Sequence, residues 1–331
     1  MFATVGGVSL GQFPNLFYIC PEYGFLMHDK RVLVTGGAGF IGSNLANHLA
    51  SGNEVIAIDN CYLGTPDNLE ETVEFVDQDV LDDGLPTDVD VVFHLAALSS
   101  YTMHEDDPRH GARVNVEGFV NVVEQARKDG CETVVYASTS SIYGDRTEPS
   151  PESMAVEANT AYEASKLARE RYAEYFHNHH GMSVAGLRYF SVYQGYDGAE
   201  GHKGEYANVI AQFADDIAHG RPPKLYGDGT QSRDFTHVSD VVRAHELVAD
   251  ERLSGVYNVG TGEQYTFNEL VDLLNEELGT DIELEYVENP IPEDVYVHDT
   301  LADCSKLREA TGWEPEIEFE EGLEMVCEPY R

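Results

Sequence analysis

The chain alternates short aliphatic runs with longer segments whose apolar positions recur at helical spacing. Residues 31–35 read as a strand of β-branched and aliphatic side chains, followed by a glycine-rich turn and a helix beginning near Gly39. Further strands are predicted at 54–58, 73–76, 89–95, 134–137 and 184–187, with helices at 109–128 and 161–180 between the later ones. Alternation at these lengths specifies a parallel, doubly wound α/β sheet, because parallel neighbours need a crossover long enough to hold a helix. Ligands of such sheets sit at the carboxyl ends of the strands, which gathers Gly36, Asp59, Ala96, Thr139 and Tyr162 around one crevice. Beyond the last of these strands the alternation breaks. Residues 195–204 read as a loop and 206–219 as a helix, and 224–226 lead into the turn Gly227-Asp228-Gly229.

Three chemical features sit on this frame. Gly36, Gly39 and Gly42 fall at G-x-x-G-x-x-G spacing, and Gly37, Gly39 and Gly42 also satisfy G-x-G-x-x-G. Glycine lets the backbone turn tightly and approach a pyrophosphate, while the helix that follows offers free N–H groups and the positive end of its dipole. The strand before and the helix after are the context that this motif requires. The second strand runs into Asp59, whose carboxylate can accept both hydroxyls of an adenine ribose and repels a 2′-phosphate, so NAD is favoured over NADP. Tyr162 and Lys166 lie four residues apart in Ala-Tyr-Glu-Ala-Ser-Lys, on one helix face. A phenol of pKa near ~10 is a poor base at neutral pH, and a cation beside it favours phenolate and brings proton abstraction from an alcohol within reach. Alone, the pair reads as an amphipathic helix with a surface lysine; the glycine turn and Asp59 upstream turn it towards nicotinamide chemistry.

With these residues assembled, the chain resembles the extended short-chain dehydrogenase/reductase family, and within it the nucleotide-sugar epimerases typified by UDP-glucose 4-epimerase. The marks run from Thr35 to Gly42 through Asp59, Asp79-Val80, His94-Leu95-Ala96-Ala97, Asn115, Ser138-Thr139, Tyr162 with Lys166, and Leu187-Arg188-Tyr189-Phe190. They continue with Tyr226-Gly227-Asp228-Gly229, Arg233-Asp234-Phe235, Asn258-Val259-Gly260 and Gly312-Trp313. The resemblance implies a Rossmann-type NAD-binding domain over residues 27–190 and, over 191–331, mainly a smaller α/β nucleotide-sugar lobe with some segments returning to the first domain. It implies bound NAD and epimerisation of a nucleotide-diphosphate sugar at C4 through a transient 4-keto intermediate. By position, Thr139, Tyr162 and Lys166 would be catalytic. Gly36, Gly39, Phe40, Ile41, Gly42, Asp59, Asn60, Asp79, Val80, Leu95, Ala96, Ala97, Asn115, Tyr162, Lys166 and Tyr189 would hold the cofactor. Thr139, Ser191, Lys203, Tyr226, Arg233 and Thr300 would meet the substrate, and the small Thr300 implies room for an N-acetyl group.

Ser140-Ser141 follow Thr139 where related dehydratases carry Asp-Glu and decarboxylases a Glu. Neither serine can act as a carboxyl acid or base, so an epimerase leads, while a reductase with net redox change and a non-catalytic NAD-binding sensor stay open. Three departures concern the substrate side. Ser191 stands where Asn is usual, Gln194 where Gly is usual, and Pro290-Ile291-Pro292-Glu293-Asp294 replaces a segment with a second phosphate-binding Arg. Lys203 is the candidate replacement cation and reads equally well as a solvent-facing loop lysine.

Composition then sets the surroundings. A chain of 331 residues, 42% hydrophobic, is long enough to bury the core of one two-lobed unit. Sixty acids against 20 bases give a net charge of −40, which repels phosphate and argues against nucleic-acid or anionic-membrane partners. Such acidity matches proteins adapted to molar salt, where the Debye length falls to ~3 Å. The carboxylates of 314–324 read as solvated surface and His177, His179 and His180 as cations at a helix C-terminus, so no metal is expected. Cys20, Cys61, Cys131, Cys304 and Cys327 are scattered without a Cys-x-x-Cys pair, which suits reduced thiols in cytoplasm. Residues 1–26 lack Lys and Arg and fall outside the pattern; they read as a non-native or disordered extension ahead of an expected start at Met27. The family implies a homodimer built from the Arg109 and Ala161 helices.

Overall fold

The computed structural model describes residues 27–292 and 295–331, and the expectation for residues 1–26 lies outside them. Strands β1 (Arg31–Thr35), β2 (Glu54–Asp59), β3 (Glu74–Asp77), β4 (Val91–His94), β5 (Thr133–Ala137) and β6 (Ser183–Tyr189) join one seven-stranded sheet with the later strand Gly255–Val259. From one edge the order is Gly255–Val259, β6, β5, β4, β1, β2, β3, and every pairing is parallel. The winding reverses between β1 and β4, which opens a crevice at their carboxyl ends. Val32, Leu33, Val34, Val92 and Phe93 are fully buried, as strands covered on both faces require.

On one face, helix α1 (Phe40–Ala50) and the helix Val238–Asp250 pack through Leu45, Leu49, Val241 and Val248, with Trp313 closing that layer. On the other, the helices Gly118–Asp129 and Ala161–His180 bury Phe119, Val122, Ala173 and Phe176. A third cluster, around Phe213, Phe235, Leu270 and Phe319, gathers the helices Val209–Ala218, Phe267–Leu278 and Phe319–Cys327. Phe235 and Phe319 stack there at 5.4 Å between ring centroids.

Two predicted helices differ. The one expected over 109–128 is regular at Pro108–Ala112, widens to a π-type turn at Arg113–Glu117, and resumes at Gly118–Asp129. The extra residue in the wide turn rotates Asn115 into the core. Gly118 follows because a β-carbon there would lie 2.7 Å from Val80 Cγ2. The helix expected over 206–219 is a short turn at Gly201–Tyr206, then Val209–Ala218, because Asn208 caps the second piece by accepting from Ile210 N (3.0 Å). No helix of the described residues is long and apolar enough to cross a membrane.

Candidate active site

The turn after β1 is built for close approach. Gly36 has φ of 68°, and a β-carbon on it would sit 2.6 Å from Ala96 N, so the turn lies directly against the chain leaving β4. At Gly42 a β-carbon would collide with the Gly36 carbonyl. Helix α1 then starts at Phe40, with Gly39 at its N-cap and no side-chain cap, leaving its first N–H groups for a ligand. Asp59 closes β2: its Oδ1 accepts from Cys61 N (2.8 Å) and its Oδ2 from Ala38 N (3.2 Å). Burial raises this carboxyl above its ordinary range and the two N–H donors oppose the rise. Glycine cradle, uncapped helix and half-buried carboxylate fit a dinucleotide.

The helix Ala161–His180 begins with a capping box, Thr160 Oγ1 accepting from Glu163 N (3.1 Å) and Glu163 Oε2 from Thr160 N (3.2 Å). Starting there puts Tyr162 in the first turn and Lys166 one turn deeper. Lys166 is 2% exposed, donates from Nζ to Ala137 O (3.2 Å) and lies 5.8 Å from the Tyr162 ring centroid. Thr139 Oγ1 meets Ser141 Oγ at 2.8 Å. Burial raises the Tyr162 phenol above its ordinary value, opposed by a hydrogen bond from Thr139 and by the charge of Arg169. Burial also drives Lys166 well below its ordinary value. The ammonium alone is therefore a weaker lever on the phenol than the sequence suggests, because desolvation acts on both groups.

One cleft of about 370 Å³ is lined by Gly36, Gly39, Phe40, Ile41, Gly42, Asp59, Asn60, Asp79, Val80, Leu95, Ala96, Ala97, Thr139, Tyr162, Lys166, Tyr189, Ser191 and Lys203. Asn115, expected against the cofactor, is not among its walls. Its Oδ1 accepts from Leu98 N (2.8 Å) and its Nδ2 donates to Leu98 O (3.0 Å) and Ser165 Oγ (2.9 Å), so it braces the chain behind the cleft. Tyr226, Arg233 and Thr300 also lie off that cleft. Tyr226 lines a second cavity of about 510 Å³ with Gln231, Pro290, Pro292, Tyr296 and His298. Arg233 donates to Ser232 O (2.8 Å), His298 O (2.6 Å) and Val297 O (2.6 Å), so its fork is engaged by backbone carbonyls. Thr300 is buried, with Oγ1 accepting from Asp234 N (3.4 Å). Tyr62, His110 and His202 also line the first cleft; in sequence only their aromatic character marks them.

Residues 32–260 match the NAD dependent epimerase/dehydratase family. The chain belongs to that family. The UDP-N-acetylglucosamine 4-epimerase of Methanobrevibacter ruminantium, solved with UDP-N-acetylmuramic acid, is 33% identical, with a TM-score of 0.84 over 91% of this chain and 98% of that one. The UDP-glucose 4-epimerase of Thermus thermophilus, solved with NAD, is 34% identical, with a TM-score of 0.80 over 91% of this chain and 99% of that one. UDP-glucuronic acid decarboxylase 6 of Arabidopsis thaliana is 31% identical over 320 residues, 93% of this chain and 90% of that protein. Here Ser140 is buried with its N–H donating to Tyr189 O (3.2 Å), and Ser141 bonds Thr139; neither offers a carboxyl group.

Proposed function

We propose that this family member interconverts nucleotide-diphosphate sugars at C4, with NAD held in the cleft. The observation that carries the reading is the convergence of Thr139, Tyr162 and Lys166 with the glycine cradle and Asp59 in one cleft, while Ser140 and Ser141 lack the carboxyl groups that elimination or decarboxylation would use. Tyr162 takes the proton from the sugar hydroxyl, and Thr139 holds the same oxygen. Lys166, anchored on Ala137 O, would bind the nicotinamide ribose; Asp59 would bind the adenine ribose. Bound NAD supplies the hydride acceptor and, on return, the donor. The 4-keto sugar then presents its other face, and Tyr162 gives the proton back.

The lobe around Phe213, Phe235 and Phe319 is assigned to the nucleotide, with Tyr226 beside the second cavity and Arg233 behind it. A homodimer through the Arg109 and Ala161 helices is supported by the exposed Ala164, Tyr172 and Tyr175 on the latter. Free thiols at Cys61, Cys131, Cys304 and Cys327 suit a cytoplasmic setting, and the net charge of −40 suits molar salt.

Incubation with NAD and UDP-glucose, UDP-galactose and their N-acetyl and uronate relatives in molar salt, followed by product chromatography, tests the reaction. Pairs of C4 epimers are expected; a pentose product or a dehydrated 4-keto product overturns it. Tyr162→Phe keeps the ring and removes the proton carrier, so turnover falls by about 10² or more while NAD stays bound.

A further inference from the structure

The loop after Gln194 brings His202 and Lys203 to the wall of the cofactor cleft as a strap, and its anchors are side chains with no part in the chemistry above. Gln194 and Asn44 exchange two amide hydrogen bonds, Asn44 Nδ2 to Gln194 Oε1 and Gln194 Nε2 to Asn44 Oδ1, both 3.0 Å. Asn44 belongs to α1, so this pair ties the strap to the helix that carries the glycine cradle. Glu200, fully buried, holds the strap's own shape by accepting from Gln194 N (3.0 Å), Gly195 N (3.1 Å) and Asn208 N. His202 Nδ1 meets Asn68 Nδ2 at 3.0 Å, on the loop that follows β2 and Asp59.

Lys203 is the consequence. Its ammonium lies 5.2 Å from the ring centroid of Phe40, the first residue of α1, beside the helix end that no side chain caps. Among the described residues, only Glu200 acts on it as a nearby opposite charge, and its ammonium makes no hydrogen bond to any of them. A half-buried ammonium without an acceptor, next to free helix N–H groups, is matched by phosphate oxygens.

We propose that Lys203 binds the pyrophosphate of the dinucleotide and not the diphosphate of the sugar substrate, and that the Gln194–Asn44 clamp holds this lysine in place so that the cofactor is retained between turnovers. The inference rests on the NAD reading of the cleft. Retention suits a reaction with no net redox change, since the cofactor need not leave to be recycled.

The test is NAD binding to cofactor-stripped protein by calorimetry, with no sugar present, so that it is independent of which reaction the enzyme performs. Lys203→Met, which keeps the apolar stem over Phe40, is expected to weaken NAD by about tenfold or more, and Lys203→Arg by less than about threefold. Gln194→Ala is expected to speed NAD release from the loaded protein by about tenfold. UDP binding to NAD-loaded Lys203→Met stays within about twofold of the parent. Unchanged NAD affinity with weakened UDP binding would give the lysine to the substrate, and unchanged affinity for both would make it a solvent-facing residue; either overturns the proposal. Melting curves on Lys203→Met and Lys203→Gln separate lost binding from lost folding. If neither folds, dissociation from Gln194→Ala decides, and a parent-like rate overturns the proposal.

Discussion

Burial pushes the Tyr162 phenol up, and the groups that pull it back are the Thr139 hydroxyl and the Arg169 guanidinium. Arg169 is fully buried, donating from Nε to Asn115 O (2.6 Å) and from Nη2 to Ala96 O (2.8 Å), and no carboxylate among the described residues pairs with it. Although burial lowers it to about 10, it is still charged at neutral pH. Lys166, which the sequence pairs with Tyr162, is itself driven down by burial and gives less. An uncompensated buried cation is costly, so its place one turn below the catalytic pair is informative. Arg169→Met should raise the phenol further. The acidic limb of the pH–rate profile for sugar oxidation then moves to higher pH, with activity partly recovered in alkali. Arg169→Lys should move it less. A lowered melting temperature with the limb unmoved would make Arg169 a packing residue only.

At the scale of elements, the wide turn Arg113–Glu117 converts a helix into a brace for the cleft. Asn115 satisfies both the N–H and the carbonyl of Leu98, and its own carbonyl takes Arg169. Asn115→Leu would strand those Leu98 groups in the core, at roughly 1–3 kcal/mol for each. A lower urea midpoint and weaker NAD binding are expected together; an unchanged midpoint would show that the brace carries no load. The sheet itself was legible because its strands are continuous aliphatic runs and its glycine turn has a fixed spacing. The wide turn is not, since one added residue barely disturbs the apolar period and its own residues, Arg113–Glu117, include no Pro or Gly. Its place in the sequence therefore points Asn115 at the cofactor, while in the structure it holds Leu98 one layer behind the cleft. In sequence the strap reads only as a loop, for its glycines show where the chain turns and not that Gln194 will find Asn44, which lies 150 residues away. Arg233 was legible as a recognition residue by type, but its engagement with the carbonyls of Val297 and His298 depends on a chain return that local pattern does not encode.

For the whole molecule, surface charge and buried imidazoles respond to different variables. The net charge of −40 sits largely on exposed acids such as Glu320, Glu321 and Glu324, and their repulsion is screened by salt. His237 and His245 are buried, and burial lowers both from 6.5 to about 4. His237 Nδ1 accepts from Ser239 N (3.3 Å) at the start of the helix Val238–Asp250. His245 Nδ1 meets the Val241 carbonyl (2.8 Å) and must donate to it, so Nε2 accepts from the Tyr189 hydroxyl (2.8 Å). Both rings are held neutral. The unfolded chain protonates them near 6.5 and the folded chain only near 4, so the unfolded state binds more protons between these values. Stability is thus full above 6.5, falls through the window, and levels off below about 4. At about 1.4 kcal/mol per unit, each ring contributes at most ~3.5 kcal/mol. Asp234 and Asp240, raised by burial, act in the opposite sense, so a variant must isolate the histidines. The melting temperature should fall between about pH 7 and pH 5, and the fall should persist in about 1 M KCl, where surface repulsion is screened. His237→Asn keeps an acceptor at the helix cap and removes one of the two titrations, so it should shrink the fall by roughly half. A fall that salt abolishes and His237→Asn leaves intact would assign acid sensitivity to the surface charge instead.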